Sequence, residues 1–224
     1  MRKSLIIILC LTVLSSLNSK VMASNDGETN EQKSLITVMG ELNSADAWRV
    51  EAGYHWFPKP YIGFGGSLGV WNQFSTNDIP KGQNWIIDDD YREASSLFVH
   101  PSLVLFSPSI IHGNDFDIQL YGEVGAMMNL PYEKVCIDIC HNPYYIPDEY
   151  EYISNNKGDW CFFDGKIGVS ARFDNIVLAA GYSYSTLDVY GMRRKLKYAN
   201  QKFTAFYPQH HGTHGAFLSI SLFI

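Results

Sequence analysis

Apolar and small or charged positions alternate along most of the chain after about residue 34. In residues 47–57, one face holds large apolar side chains, whereas the other holds Arg49, Glu51, Gly53 and His55. Successive side chains of a strand point to opposite sides, so this period of two predicts β-strands. Comparable alternation is found around residues 61–71, 117–130, 162–173, 175–187 and 215–224, and less regular segments lie at 34–43 and 95–107. The pattern predicts eight strands in total.

The predicted connections alternate between short and long. Short turns follow the second, fourth and sixth strands, whereas long segments at about 75–94, 132–159 and 191–212 follow the third, fifth and seventh. Only the connection at residues 43–46 is short where a long one is expected. Long loops at one end, short turns at the other and an even number of strands are typical of membrane barrels.

The second face of the strands is rich in Gly, Ser and Ala and carries a few charges of both signs. The solvent face of a soluble β-sandwich, the alternative fold, would instead be rich in Lys, Glu and Thr. Small residues and compensated charges suit the narrow lumen of an eight-stranded barrel. The pattern therefore predicts that the apolar face meets lipid. Candidate interfacial aromatic residues near strand ends are Trp48, Trp56, Phe57, Tyr61, Trp71, Tyr182, Tyr184 and Phe223.

The first 23 residues have the three parts of a secretory signal peptide. Arg2 and Lys3 precede an apolar run at residues 5–14, and Ala23 closes a small-residue cleavage context. Removal of this segment leaves 14 basic and 23 acidic side chains, which is a net charge of −9. Such an acidic chain is not expected to bind nucleic acid.

Taken together, these features predict an all-β protein, an eight-stranded antiparallel up-and-down transmembrane β-barrel. Over residues 34–224 the chain resembles the small eight-stranded outer-membrane barrels of Gram-negative bacteria, the outer-membrane protein A and X type. The resemblance implies location in the cell outer membrane, contact with outer-membrane lipids and lipopolysaccharide, and insertion by the outer-membrane assembly machinery. It also implies that residues 24–33 form a short periplasmic segment and that three long loops are extracellular. We expect a monomer without a cofactor, and the sequence identifies no ligand for the loops.

Six charged residues fall on the face that the alternation assigns to the lumen, namely Arg49, Glu51, Glu123, Asp164, Lys166 and Arg172. Opposite charges that are removed from water need to be paired. We therefore predict a luminal network of ion pairs that fills the barrel. The alternative is an ion path that the same network gates.

Three cysteines follow the signal peptide, Cys136, Cys140 and Cys161, and all lie in or beside the fifth-to-sixth-strand connection. Export permits oxidation, so one disulfide is possible, with Cys161 joined to either of the other two. A zinc site is the alternative, and it would need these thiols and His141 to converge. We predict no metal site.

Other polar clusters lie in the predicted long loops. A histidine cluster comprises His210, His211 and His214, and acidic stretches occupy residues 88–90 and 148–151. We interpret both features as hydrated loop surface. The alternatives are adventitious metal binding by the histidines and, for the acidic stretches, divalent cations that bridge lipopolysaccharide.

One segment resembles the His-x-Ser pair of outer-membrane lipid A deacylases. His100 and Ser102 share a strand face and could form a base and a nucleophile. That face is luminal in the predicted register, and Pro101 lies between the two residues. We therefore predict a non-enzymatic barrel whose loops serve adhesion, interaction or envelope stability. The alternatives are a narrow pore and a lipid A-modifying hydrolase.

Overall fold

The computed structural model describes residues 34–76, 79–141, 146–206 and 212–224. The predicted signal peptide and residues 24–33 lie outside the described residues. The described strands are β1 (Ser34–Asn43), β2 (Ala47–Lys59), β3 (Ile62–Gln73), β4 (Trp85–Ile87), β5 (Ser95–Phe106), β6 (Ile111–His112), β7 (Asp117–Asn129), β8 (Glu133–Ile139), β9 (Glu149–Asn155), β10 (Cys161–Phe173), β11 (Ile176–Ser185), β12 (Lys197–Tyr198), β13 (Gln201–Lys202) and β14 (Thr213–Phe223).

Eight of these strands form a closed antiparallel barrel in the order β1, β2, β3, β5, β7, β10, β11 and β14. The first and last strands close it, in a register that runs from Leu35 opposite Phe223 to Asn43 opposite Gly215. A closed barrel pairs every backbone group of its wall and leaves no free edge. The structure confirms the predicted strand number and architecture.

The two faces of the wall differ as the alternation predicted. Leu68, Ile167 and Leu218 project outward and are each 67% exposed. The alternate positions are buried in the lumen. Further exposed apolar residues around the wall are Ile36, Val38, Val50, Phe64, Val99, Leu120, Phe163, Val169, Leu178, Ile220 and Leu222. This outer belt is suited to hydrocarbon and not to water.

Helix is a minor component of the fold. The described part of the chain contains two 3₁₀ turns of three residues each, Asp89–Tyr91 and Arg193–Lys195. Neither turn has the length or the apolar character that a membrane-crossing helix requires.

The wall has two local irregularities among the described residues, a register shift between Trp56 and Lys59 of β2 and a gap in the pairing of β5 with β7. Val99 pairs with Met128 and Ser102 pairs with Gly125 in the same register, but the two residues between them on each strand are not paired. Pro101 lies at this interruption and has no N–H to donate. Gly125 allows the strands to approach there, because a Cβ at this position would lie 2.6 Å from Nε2 of His100.

A hydrophobic cluster fills the lumen at the short-turn end. It contains Phe57, Phe106, Tyr121 and Phe223, whose rings pack against one another at centroid distances of 5.4–6.3 Å. Leu35, Met39, Val104, Val177, Ala179 and Phe217 complete it. The prediction that Phe57 and Phe223 belong to an interfacial aromatic belt was therefore wrong, because the strand register turns both rings inward.

The three long connections fold together over the other end of the barrel. We name them loop A (residues 74–94), loop B (residues 130–160) and loop C (residues 186–212), and we call their joint structure the loop cap. β4 of loop A pairs with β8 of loop B, and β8 pairs with β9, so β4 and β9 form the two edges of a three-stranded sheet. The hairpin of β12 and β13 belongs to loop C.

The loop cap has its own hydrophobic core, which is continuous with the mouth of the barrel. The loops contribute Trp85, Ile87, Ala94, Val135, Ile137, Leu187, Val189, Tyr190, Leu196, Phe203 and Phe206, and the barrel contributes Ala45, Trp71, Phe98, Met127 and Phe162. Trp71 was predicted as an interfacial residue, but its ring is buried in this core and its Nε1 donates to Oδ1 of Asn129. The cap therefore closes the long-loop end of the lumen.

Candidate functional site

A layer of buried charges lies in the lumen between the two hydrophobic clusters. At its centre, Nζ of Lys166 on β10 lies 2.7 Å from Oε1 of Glu51 on β2 and 3.0 Å from Oε2 of Glu123 on β7. It also lies 3.6 Å from Oδ2 of Asp164. The Lys166 side chain is fully buried, so these contacts replace water as its partners.

A second group of ion pairs lies nearer to the loop cap. The guanidinium of Arg49 donates through Nη2 to Oε2 of Glu41 at 2.5 Å and through Nη1 to Oδ1 of Asp164 at 2.7 Å. Its Cζ lies 5.8 Å from the centroid of the Phe98 ring, and its Nη1 lies 3.6 Å from Sδ of Met127. Arg49 therefore joins the charged layer to the apolar core above it.

His100 completes this charged layer. Its Nδ1 lies 3.2 Å from Oε2 of Glu51 and 3.6 Å from Oε1 of Glu123, and its Nε2 lies 3.5 Å from Oδ2 of Asp164. Ser67 donates to the same Glu51 oxygen at 2.5 Å. Carboxylates thus lie close to both ring nitrogens of the imidazole.

The structure brings five of the six predicted luminal charges into this one layer. Arg172 is the sixth, and it lies at the short-turn end, where its Nε donates to the Asp174 carbonyl at 2.9 Å. Its Cζ lies 4.6 Å from the centroid of the Phe223 ring. Sequence reasoning missed Glu41, which follows the inward Thr37 and Met39 at the same period of two in an irregular segment.

The structure separates the His-x-Ser pair. His100 faces the carboxylates described above, whereas Oγ of Ser102 lies 2.8 Å from Nε2 of His55. Within the described residues, Nδ1 of His55 is buried and has no hydrogen-bond partner, so no acidic group orients this ring. A nucleophile and base of the catalytic type need such a third group and access to substrate. The His55–Ser102 contact therefore lacks the arrangement of a lipid-cleaving site.

Comparisons with known proteins find structures that are similar to this chain at low sequence identity. No protein-family model matches the chain, and no curated protein matches it. The N-terminal β-barrel domain of Pseudomonas aeruginosa OprF is 10% identical, with a TM-score of 0.41 over 85% of this chain and 96% of that chain. Neisserial surface protein A is 11% identical, with a TM-score of 0.42 over 85% and 96%. The outer membrane enzyme PagL is 11% identical, with a TM-score of 0.36 over 85% and 99%. These similarities are too distant to transfer a function.

The closed wall is apolar outside and charged inside, as expected for the small eight-stranded barrels that the sequence resembles. The chain is a closed eight-stranded antiparallel β-barrel with an apolar outer face. The remaining polar features of this barrel lie in the loop cap.

Arg193 of loop C connects all three long loops. Its Nε donates to Oε1 of Glu133 in loop B at 2.7 Å, and its Nη1 donates to the carbonyls of Tyr91 and Arg92 in loop A at 2.7 and 2.6 Å. Its Cζ lies 5.7 Å from the ring centroid of Phe206. Burial raises the pKa of the Glu133 carboxyl, and the Arg193 guanidinium offsets part of this rise. Arg193 is thus the main polar connection within the cap.

Asp138 of β8 is a second buried acid in the cap. It is 8% exposed, and its Oδ1 is without a hydrogen-bond partner among the described residues. Burial raises the pKa of the Asp138 carboxyl, the nearby Asp88 and Asp89 carboxylates raise it further, and Arg92 opposes this rise. Folding therefore shifts the Asp138 carboxyl towards its protonated form relative to the unfolded chain.

We expect Asp138→Asn to stabilise the loop cap at pH 7 by about 1 kcal/mol, because an amide avoids the cost of a buried charge. For the wild type, the folded pKa lies above the unfolded value of about 3.9. The stability contributed by the protonated group is present below that value and is lost as the pH rises through the folded pKa. Hydrogen-exchange protection factors of β8 amides, compared between the two proteins at pH 4 and pH 7, measure this difference. The exposed Asp90→Asn is the control, and equal protection of the Asp138→Asn protein and wild type at pH 7 would contradict the prediction.

The three cysteines in the described residues carry free thiols. Cys136 and Cys140 are buried in the cap, and burial raises the pKa of each thiol. Cys140 lies four positions after Cys136 in extended chain, so their Cα atoms are about 13 Å apart, which is too far for a disulfide. Cys161 is exposed at the start of β10. A disulfide between Cys161 and one of the others stays a prediction.

The other predicted clusters do not form a common site in the described residues. His210 and His211 lie outside those residues, and the ring of His214 stacks on Tyr182 at a centroid distance of 6.1 Å. Asp88 accepts from the backbone N of Asp90 and begins the 3₁₀ turn. Where the chain is described, no three His, Cys, Asp or Glu side chains are arranged to hold a metal ion.

Proposed function

We propose that this barrel lies in the outer membrane, that it is non-enzymatic and that its folded loop cap is a contact surface for interaction at the cell surface or for envelope stability. The observation that carries the proposal is the filled lumen. An aromatic cluster, a charged layer and the cap core follow one another along the barrel axis. A barrel that is filled in this way has little role as a channel, whereas its ordered cap offers a fixed surface.

The folding of the three loops supports the contact-surface role. A site on preformed structure binds with a smaller entropic cost than one on mobile loops. The exposed cap residues Tyr150 and Tyr152, at 63% and 58% exposure, are of the type enriched in protein interfaces. The filled lumen weighs against the alternative of a narrow pore, and the incomplete His55–Ser102 pair weighs against the alternative of a hydrolase.

Single-channel recording in planar bilayers tests this proposal. We expect the purified barrel to insert without discrete conductance steps, because ion passage would need Lys166 to leave both Glu51 and Glu123 within a fully buried layer. The folded state is verified in the same sample by gel electrophoresis, because a folded barrel loses mobility when heating unfolds it. Reproducible conductance steps from inserted wild-type protein would contradict the proposal in favour of a pore.

A further inference from the structure

The strand β9 of loop B has the longest free edge in the cap sheet. It has seven residues, and the described chain places β8 on one side of it and no strand on the other. At the opposite margin, β4 has three residues, and Ile86 bridges to Lys81 on its outer side. The residues Glu149–Tyr152 of β9 are all exposed. An edge of this kind can pair with a strand of another chain.

The backbone groups of the central strand β8 alternate between its two neighbours. The backbone N of Asp88 in loop A donates to the Cys136 carbonyl at 3.1 Å. The backbone N of Cys140 donates to the Asn84 carbonyl of the same loop at 2.8 Å. Both cysteines thus direct their backbone groups towards loop A. Since these groups change sides at each residue of an antiparallel strand, Ile137 directs its own towards β9.

The outward backbone groups of β9 follow from this register. Ile137 pairs with Glu151, so Glu151 directs its N–H and C=O groups towards β8. Its neighbours Tyr150 and Tyr152 therefore direct theirs away from the sheet. Among the described residues, no turn or loop backbone group bonds to these outward groups. An extended segment beside β9 would meet the N–H and C=O groups of both tyrosines.

The side chains of this edge are acidic on one face and aromatic on the other. Glu149 and Glu151 share the first face, and Tyr150 and Tyr152 share the second. Within the described residues, neither glutamate forms an ion pair. The hydroxyl of Tyr198 contacts the Glu151 carboxylate, but it is a neutral group. The two exposed negative charges are therefore left uncompensated by the described protein.

The two loops that supply the strands of the sheet are acidic as a whole. Loop A has five acidic and two basic residues, and loop B has six acidic and two basic residues. A surface of one sign raises the local concentration of partners of the opposite sign and speeds their association. Charge complementarity therefore favours a basic segment as the occupant of the β9 edge.

We propose that β9 binds an extended basic segment of another protein, which adds to the cap sheet as a fourth strand. The backbone of the segment would bond to Tyr150 and Tyr152, and its Lys or Arg side chains would lie opposite Glu149 and Glu151. Opposite charges at directly opposed positions stabilise a strand pair. The residues between the basic ones would lie beside the tyrosine rings, where apolar side chains pack.

The segment that fits this edge therefore alternates basic and apolar residues. The inference deepens the proposed function by naming the class of partner, and it rests on that proposal only for the cap as the contacting part.

Fluorescence anisotropy of a short labelled peptide of alternating Lys and Val, titrated with the full chain in nanodiscs of zwitterionic lipid, tests this inference. The first variant is Glu149→Gln with Glu151→Gln. We expect it to bind the peptide about tenfold more weakly, at roughly threefold for each lost charge pair. The control is Asp115→Asn with Asp174→Asn, which removes the same charge from exposed positions outside the cap and should bind as wild type.

A second variant tests the backbone of the edge. Tyr152→Pro removes an outward N–H and leaves the pairing of β9 with β8 in place. We expect it to bind the peptide roughly tenfold more weakly than Tyr152→Val, which lacks the same ring but keeps the N–H. Protection of β8 amides against hydrogen exchange shows that the cap sheet of each variant is folded.

Several outcomes of these titrations would overturn the inference. They are equal binding by the glutamine variant and wild type, equal loss in its control, and equal binding by Tyr152→Pro and Tyr152→Val. Equal binding of a peptide of alternating Glu and Val would remove the charge argument. Self-association of the wild type that Tyr152→Pro abolishes would assign the edge to a second copy of this chain. Conductance tests the closed lumen separately, so failure of the peptide titration is distinguishable from failure of the proposed function.

Discussion

Replacement of Lys166 by Met is expected to destabilise the barrel by about 3–5 kcal/mol, because it leaves buried carboxylates without their cation. Nζ of Lys166 contacts Glu51, Glu123 and Asp164 within 3.6 Å, and methionine has a similar length but no charge. The cost therefore comes from the unpaired acids and not from a cavity. Urea unfolding of the protein refolded into lipid vesicles, followed by tryptophan fluorescence, measures the change.

Two further variants separate the charge effect from packing. Lys59→Met removes an exposed lysine near the short turns, and we expect a change below about 0.5 kcal/mol. Lys166→Met combined with Glu123→Gln removes one of the stranded acids and should recover part of the lost stability. A Lys166→Met protein as stable as the Lys59→Met protein would show that the charged layer is not held by these contacts.

Replacement of Arg193 by Met is expected to loosen the loop cap while the barrel stays folded. The change leaves the buried Glu133 carboxylate and the carbonyls of Tyr91 and Arg92 without their donor. Loss of one partner of a buried ion pair costs about 3 kcal/mol. Hydrogen exchange should therefore speed up roughly a hundredfold for amides of β8 and β9, at tenfold for each 1.4 kcal/mol.

The neighbouring arginine supplies a matched control for the cap. Arg194 pairs with Asp188 of the same loop, so Arg194→Met removes an arginine without separating the loops. We expect its β8 and β9 amides to exchange within threefold of the wild type, because exposed or local pairs contribute little. Equal exchange of the cap amides in the Arg193→Met protein and wild type would argue that apolar packing alone holds the loops together.

The barrel wall was predictable from sequence because each strand reports its own two faces. Leu218, Ile220 and Leu222 alternate with Ser219 and Ser221, and this local pattern decides which side meets lipid. The charged layer was predictable for the same reason, since an inward Lys166 needs inward acids. Which acid pairs with which cation was not predictable, because the partners lie on strands that are distant in sequence.

The loop cap could not be predicted from alternation. Its strands β4, β12 and β13 have only two or three residues, which is too short for a period to be visible. Their positions depend on packing of side chains such as Trp85 and Phe203 from different loops, whose rings stack at a centroid distance of 5.5 Å. The inward turn of Phe57 and Phe223 was missed because aromatic residues near strand ends serve belts and lumen alike.

The position of β9 at the margin of the cap sheet bears on how neighbouring molecules meet in a crowded membrane. Its outer backbone amides and carbonyls offer a template on which the same strand of an adjacent protein could add, and repeated addition would produce fibrous aggregates. Glu149 and Glu151 lie on this strand and are exposed. In an antiparallel association that places Glu149 of one copy opposite Glu151 of the next, the mutual repulsion of these glutamates would keep adjacent molecules apart.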